Sequence, residues 1–489
     1  METMTLFNTR PLVMPLVLAQ VLMMGSAASA AVVPVPPAAF QLVDVPATKA
    51  FGASPEDLSK YGYVEQEYYV TGAANRYRFG APLADAQVVD GGHRYKTRIL
   101  VRRPKDPAKF NGTVLVEWYN VTVGQDVDFN YAAAHEYMLS NGYAIVAVSA
   151  QVVGVATLKK WSAARYGDLS LDAPPVEPTP PPGRFTANDV LAWDVFSQTI
   201  QGLRTPAGAN PLAGLTVKRV IANGESQSAS LLTRYYNSID PLHRVVDGFV
   251  YYDGAGQLRT DSPVKAITVG TEVFGADPGS PQSDSPTFRR WEVAGASHIG
   301  LYDIQYADTI SARDGALRGE NGRPSDISGL ITNCAWTPLW SSVPVHYVVT
   351  SAFAHMNQWI QGGAAPSSAP RFARDTSVTP AVVRRDDKGE VIGGIRLSEF
   401  TYPTQMNKGR GNNGDNFFCF IAGTHLPYSA QQLAARYPDR EKYLADVQKL
   451  NASNAASGFI LPGDAAKSTA NARIAMPARV AAPVRKARR

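Results

Sequence analysis

The chain has 489 residues, 45% hydrophobic and 18% charged, with 40 glycines, 35 prolines and two cysteines. That length and apolar content suffice for a large core and exclude a disulfide-stapled miniprotein, a coiled coil or a disordered acidic protein. The formal net charge of +5 is concentrated at one end, because Lys467, Arg473, Arg479, Arg485, Lys486, Arg488 and Arg489 follow Ala466 without an intervening acid. The rest is slightly acidic, so the basic balance marks a tail and not a nucleic-acid-binding face.

Residues 1–30 read as a secretory signal. Arg10 supplies the positive charge, residues 11–24 form an apolar run, and Ala28-Ser29-Ala30 offers a small-residue cleavage site. The run is shorter than the roughly 20 residues a spanning helix needs. The expected mature chain, cut after Ala30, is soluble, has no stable membrane anchor and is secreted or periplasmic. Residues 31–60 begin with a Pro-rich stretch and read as a leader. Residues 61–465 read as one α/β domain, and 466–489 as a basic disordered tail.

Within the domain, Tyr68–Thr71 and Thr97–Arg102 suit early antiparallel strands. Thr113–Trp118 is an almost unbroken apolar run, as expected of a strand covered on both faces. A helix over Tyr131–Asn141 stops at Gly142, and Tyr143–Ser149 is another buried strand. Val190–Gly202 suits a helix, Arg219–Asn223 a strand, Ala229–Asn237 a helix and Val245–Tyr252 a strand. Lys265–Val269 and Arg289–Val293 complete the series. This alternation implies βαβ units and a mostly parallel central sheet covered by helices. Two stretches interrupt it: residues 155–188, with two proline clusters, and residues 303–333, rich in charge and glycine. Both are expected to be irregular insertions forming a cap or lid. No internal repeat is evident. Cys334 and Cys419 form an even pair, and in an oxidising compartment they suit a disulfide. Closing an 85-residue loop would stabilise by about 4 kcal/mol in the chain-entropy model.

The segment Val220-Ile221-Ala222-Asn223-Gly224-Glu225-Ser226-Gln227-Ser228-Ala229 takes an apolar strand through Gly-x-Ser-x-Ser into a helix. A serine hydroxyl becomes a useful nucleophile when a sharp strand-to-helix turn presents it to a base, and small neighbours at Gly224 and Ser228 permit the close approach of strand and helix. Ser226 is the candidate nucleophile. Of the seven histidines, His298 follows the last strand in the loop Ala294-Gly295-Ala296-Ser297-His298, at the sheet end where such folds place their chemistry. His93, His135, His243, His346, His355 and His425 lie in less suitable places. Glu272, after the strand beginning at Lys265, is the candidate acid, with Asp277 and Asp284 as competitors. The oxyanion hole is expected to pair the N–H of Gln227 with that of Asn120 or Val121, in a loop lacking a His-Gly-Gly-Gly run. Trp118, Tyr119 and Trp161 are candidate pocket aromatics. No metal-ligand or nucleotide-binding motif is present, so no cofactor is expected.

The blocks Glu117-Trp118-Tyr119-Asn120-Val121-Thr122, Val148–Val155, Asn223–Ser228 and Glu292–His298 resemble those of a bacterial alpha/beta hydrolase domain family whose members are mostly exported. The resemblance continues through Trp359–Pro366 and Gly458–Pro462, covering roughly residues 60 to 465. It implies an α/β-hydrolase fold and a serine hydrolase with Ser226 and His298 in the expected places. Ser228 replaces the second elbow glycine, and a glutamate stands where an aspartate is usual for the acid. The expected reaction is cleavage of a small-molecule or polymeric carboxylic ester through an acyl-serine. The alternatives are amide cleavage by the same triad and a catalytically silent binding protein on a hydrolase fold. Oligomeric state is not legible.

Overall fold

A computed structural model of the chain describes residues 32–176, 188–275, 281–414 and 417–476. The signal segment, the second proline cluster, Asp277 and the end of the basic tail therefore lie outside the described residues. Ten strands build the main sheet: β1 Ala39–Leu42, β2 Tyr63–Arg78, β3 Gln87–Pro104, β4 Thr113–Trp118, β5 Ala144–Val148, β6 Ala207–Gly208, β7 Arg219–Glu225, β8 Gly248–Tyr252, β9 Lys265–Gly270 and β10 Phe288–Glu292. Their order is β10-β9-β8-β7-β4-β5-β3-β2-β1-β6. From β10 to β5 every pairing is parallel, while β5–β3, β3–β2 and β2–β1 are antiparallel.

The parallel strands are the continuous apolar runs of the sequence. β4, β5 and β8 are buried at every residue, because helices cover both faces and leave no solvent side to be polar. Two of these helices are Phe129–Ser140 and Val345–Ile360, which pack with the sheet residues Leu115, Ile221, Val250 and Ile267 in one apolar cluster. The chain passes from β4 to β5 on one side and then returns to lay β7 through β10 on the other. The loops after β4 and β7 consequently meet at the switch point where open α/β sheets form their crevice.

Several expectations of irregular structure are overturned. The supposed leader supplies β1, whose Phe40 is buried and whose register pairs Phe40 with Val70. The first interruption begins as the helix Val152–Trp161, and the second as the helix Leu301–Asp314. Residues 466–475 belong to the helix Pro462–Ala475. Alanine is the best helix former, and a proline in the first turn costs no hydrogen bond, so low complexity there encodes a helix. Cys334 and Cys419 are disulfide-bonded, with Cα atoms 5.3 Å apart. Among the described residues no helix is long and apolar enough to cross a membrane.

Candidate active site

β7 ends at Glu225 and the helix Ser226–Arg234 begins with the next residue. Ser226 absorbs the change of direction at φ +55°, a left-handed conformation that costs a non-glycine residue on the order of 1–3 kcal/mol. Tight packing holds it there. A Cβ on Gly224 would lie 3.0 Å from Leu232 Cδ1 and from the Ser228 carbonyl carbon, and one on Gly254 only 2.2 Å from the Ser226 carbonyl oxygen. Ser228 closes the turn in its own way: its Oγ accepts from the Glu225 N–H at 3.0 Å and donates to the Glu225 carbonyl at 2.8 Å. The helix N-terminus then directs amides, and the positive end of its dipole, towards the serine.

The loop after β10 turns at Gly295, where φ is +76°, and carries His298, which is 2% exposed. Its Nε2 lies 2.7 Å from Ser226 Oγ and its Nδ1 2.7 Å from Asp253 Oδ2. A hydrogen on Nδ1 facing the carboxylate leaves Nε2 free to accept from the serine hydroxyl, the arrangement a general base requires. Asp253 follows β8 directly. Its Oδ1 accepts from the Thr271 N–H at 2.7 Å and its Oδ2 from the Thr271 hydroxyl at 2.7 Å. Phe274 sets its ring against the imidazole, edge to face, with centroids 4.9 Å apart.

Glu272 is not at the imidazole. Its Oε1 accepts from the Gly295 N–H at 2.7 Å and its Oε2 pairs with Arg385 Nη1 at 2.8 Å, so it holds the backbone of the histidine loop. Asp284 accepts from the Arg290 N–H at 3.1 Å and pairs with Arg371. Asp253, which the sequence reading passed over, occupies the position expected of the acid. Its signal is the Asp253-Gly254 pair at the end of an apolar strand, equivalent in kind to the Thr271-Glu272 pair that drew attention.

A second buried carboxyl stands on the other side of His298. Glu225 Oε1 lies 3.2 Å from Nε2 and has no hydrogen-bond partner among the described residues, while Oε2 accepts from Asn120 Nδ2 at 2.9 Å. Burial, reinforced by the neighbouring carboxyls of Asp253, Glu117 and Asp303, raises the Glu225 pKa well above the usual range, which favours the neutral acid.

The loop after β4 lies against the elbow. The Asn120 N–H is engaged by the Val127 carbonyl at 2.9 Å, so it is not the second oxyanion donor. The Val121 N–H remains beside the elbow, 3.5 Å from Gln227 Oε1, and Gln227 opens the helix one residue after the serine. Two fully buried arginines brace this loop: Arg98 pairs with Asp126 at 2.9 Å and with Glu67 at 2.9 Å, and Arg102 with Asp128 at 2.6 Å. Removing one partner of such a pair typically costs about 3–5 kcal/mol. The aromatics expected in the pocket are engaged elsewhere. Tyr119 lies under Arg98, Trp118 packs on Phe196, and Trp161 packs on Phe51.

A cavity of about 790 Å³ includes Ser226 and His298 among its lining residues. A larger one, about 920 Å³, is lined by Tyr302, His346 and Lys467 and contains neither. The remaining histidines serve packing and local bonds. His243 lies between Ser197 and Tyr77, His355 bonds the Gly458 carbonyl, and His425 bonds the Trp340 carbonyl.

A mostly parallel sheet with its switch point between β4 and β7, a serine on a strained strand-to-helix turn and a histidine after the last strand together define an α/β-hydrolase fold. The chain belongs to the alpha/beta hydrolase domain family, whose model matches residues 33–470. Solved structures with some likeness include a Bacteroides fragilis protein provisionally assigned as an acetyl xylan esterase, at 12% identity over 48% of this chain and 63% of that one, with a TM-score of 0.27. The chain thus spans less than two thirds of that protein. A Lactobacillus plantarum protein provisionally assigned as a carboxylesterase matches at 12% identity over 44% and 80% of the two chains, with a TM-score of 0.24. An alpha-beta serine hydrolase homologue from Coxiella burnetii matches at 13% identity over 42% and 85%, with a TM-score of 0.26. No curated protein sequence matches the chain.

Proposed function

We propose that the protein is a serine esterase that cleaves carboxylic esters through an acyl-serine intermediate. Ser226 attacks the carbonyl carbon while His298 Nε2 takes its proton, and Asp253 holds the imidazole by Nδ1 and stabilises the imidazolium that forms. The N–H groups of Gln227 and Val121 receive the developing oxyanion, an interaction on the order of 3 kcal/mol per donor. Collapse of the tetrahedral intermediate returns the proton from Nε2 to the leaving alcohol. Water then repeats the sequence on the acyl-serine, releasing the acid and restoring Ser226.

The observation that carries this reading is the unbroken chain Ser226 Oγ–His298 Nε2 and His298 Nδ1–Asp253 Oδ2, each link 2.7 Å. The Cys334–Cys419 bond supports the further reading that the protein is exported, since disulfides persist in oxidising compartments. The test is labelling by a fluorophosphonate probe together with hydrolysis of p-nitrophenyl esters. Both are expected in the purified protein and absent from Ser226→Ala. Labelling that survives the substitution overturns the assignment, and faster turnover of the matched p-nitroanilide makes the enzyme an amidase.

A further inference from the structure

We infer that the substrate is a neutral ester carrying a bulky apolar group, and that the Cys334–Cys419 disulfide shapes the wall against which that group packs. This rests on the serine-hydrolase reading above and names its substrate class.

The cavity at Ser226 has a volume of about 790 Å³, within the range of pockets that enclose drug-sized ligands and far beyond the needs of an acetyl group. Its walls are mostly apolar, and Phe129, Phe274, Ile331, Trp340, Phe418 and Ile421 are among the lining residues. Among the described residues no lysine or arginine lines it, whereas Glu225 and Glu320 do. An anionic substrate would lose its hydration there without gaining a counter-charge. Phe417, also a lining residue, is 61% exposed, so an apolar side chain stands at the entrance as well as inside.

Much of this wall comes from two segments distant in sequence. Ile327, Leu330, Ile331, Thr332 and Asn333 precede Cys334, and Phe417, Phe418 and Ile421 surround Cys419. The segments pack in an apolar cluster of their own with Phe129 and Ile299, separate from the cluster beneath the central sheet. Two isolated bridges, Cys334 to Gly414 and Leu339 to Thr424, and hydrogen bonds between Trp336 and Asn412 join the two stretches beside the disulfide. The covalent bond is the one tie between the cysteine-bearing stretches that thermal motion cannot open, and it helps to set their spacing and with it the width of the space beside the serine. None of Ser226, His298 and Asp253 lies on either segment. The disulfide is consequently a determinant of which esters bind.

The experiment compares kcat/KM of the purified protein on ester pairs, with Ser226→Ala as the control. One pair, p-nitrophenyl octanoate and acetate, puts the bulk on the acyl side. Another, octyl acetate and ethyl acetate, puts it on the alcohol side. A third, p-nitrophenyl butyrate and hemisuccinate, tests charge. The long ester is expected to be favoured at least about tenfold in one of the first two pairs, the order a well-seated methylene supplies, and the hemisuccinate to be the poorer of the third. In Cys334→Ser/Cys419→Ser the long-to-short ratio is expected to fall at least about tenfold, mainly through a higher KM for the long ester. Thr332→Trp, which fills the cavity from its rim while leaving the disulfide intact, is expected to lower the same ratio. Equal turnover of long and short esters in both pairs, preference for the hemisuccinate, or a ratio unmoved by both variants overturns the inference while leaving the esterase reading in place. Loss of that reading has a different signature: no ester is cleaved, or cleavage persists in Ser226→Ala.

Discussion

Asp253 and Glu225 stand on opposite sides of one imidazole, and both are buried. Asp253 meets Nδ1 and receives two further hydrogen bonds from Thr271, one from the amide and one from the hydroxyl. Glu225 faces Nε2 with an oxygen that lacks a partner, receives a side-chain hydrogen bond from Asn120, and has other carboxyls close by. A carboxylate keeps its charge in the interior where donors converge on it, and gives the charge up where they do not. Proximity to the histidine is thus a poor guide to role. The two carboxyls differ in the donors behind them, and burial among other carboxyls raises the Glu225 pKa well above its usual range.

The strongest way to break this contrast is an isosteric amide on the Asp253 side. Asp253→Asn preserves shape but offers Nδ1 no anion, which allows the imidazole to adopt the wrong tautomer. A fall in kcat on the order of 10⁴ is expected, with little change in fluorescence-monitored stability. A loss smaller than about tenfold would remove Asp253 from the relay.

Glu272 sharpens the contrast from a third position and shows which part of the site was legible. The elbow is a local pattern: an apolar strand, a glycine, a serine and a helix lie in immediate succession, so Ser226 can be read from neighbours alone. The loop of His298 is nearly as local, since it follows the last strand of the series. The acid is not local. In the order β10-β9-β8-β7, the histidine loop leaves β10 and must pass over the end of β9 to reach the serine at the end of β7. The acid beside the imidazole therefore comes from β8, where Asp253 stands, and the carboxylate at the end of β9 lies beneath the loop it supports. Strand positions along the chain do not reveal that span, because it depends on which strands become neighbours. The same limit hid the β1 strand, whose partner β2 begins only after 20 intervening residues, and misread an Ala-rich helix as a tail.

Glu272→Ala tests the supporting role. It strips the Gly295 N–H of its acceptor and Arg385 of its partner, and a buried amide left unpaired costs about 1–3 kcal/mol. A lowered Tm is expected, with kcat reduced by roughly ten- to a hundredfold as the loop that aims His298 loosens, an effect of misplacement. If kcat instead falls as far as in Asp253→Asn while Tm is unchanged, Glu272 acts on the reaction directly.

Glu225→Gln is the converse of Asp253→Asn, and a small effect is its informative result. An amide reproduces a neutral carboxylic acid in shape and can still accept from Asn120 Nδ2. A kcat within roughly fivefold of the parent is therefore expected, as for loss of one neutral hydrogen bond of about 1 kcal/mol. A collapse comparable to that of Asp253→Asn would mean that Glu225 is ionised and that two anions hold the imidazole.

Asp303 extends the test from activity to stability. Its carboxyl accepts from the Tyr252 hydroxyl at 2.8 Å, and burial raises its pKa to about 6. A carboxyl with a raised folded pKa holds its proton more tightly in the native state than in the unfolded chain. Its favourable contribution is complete below the unfolded value near 3.8 and is lost as pH rises through about 6. Asp303→Asn lacks this titration, and its amide oxygen can still accept from Tyr252. Denaturant midpoints measured from pH 4 to pH 8 should therefore show the parent losing stability relative to Asp303→Asn up to about pH 6, with a constant difference above. A difference that grows in the opposite direction would require a donor-rich Asp303 that ionises more readily than in the unfolded chain, and its negative charge would then oppose ionisation of Glu225 over the whole range.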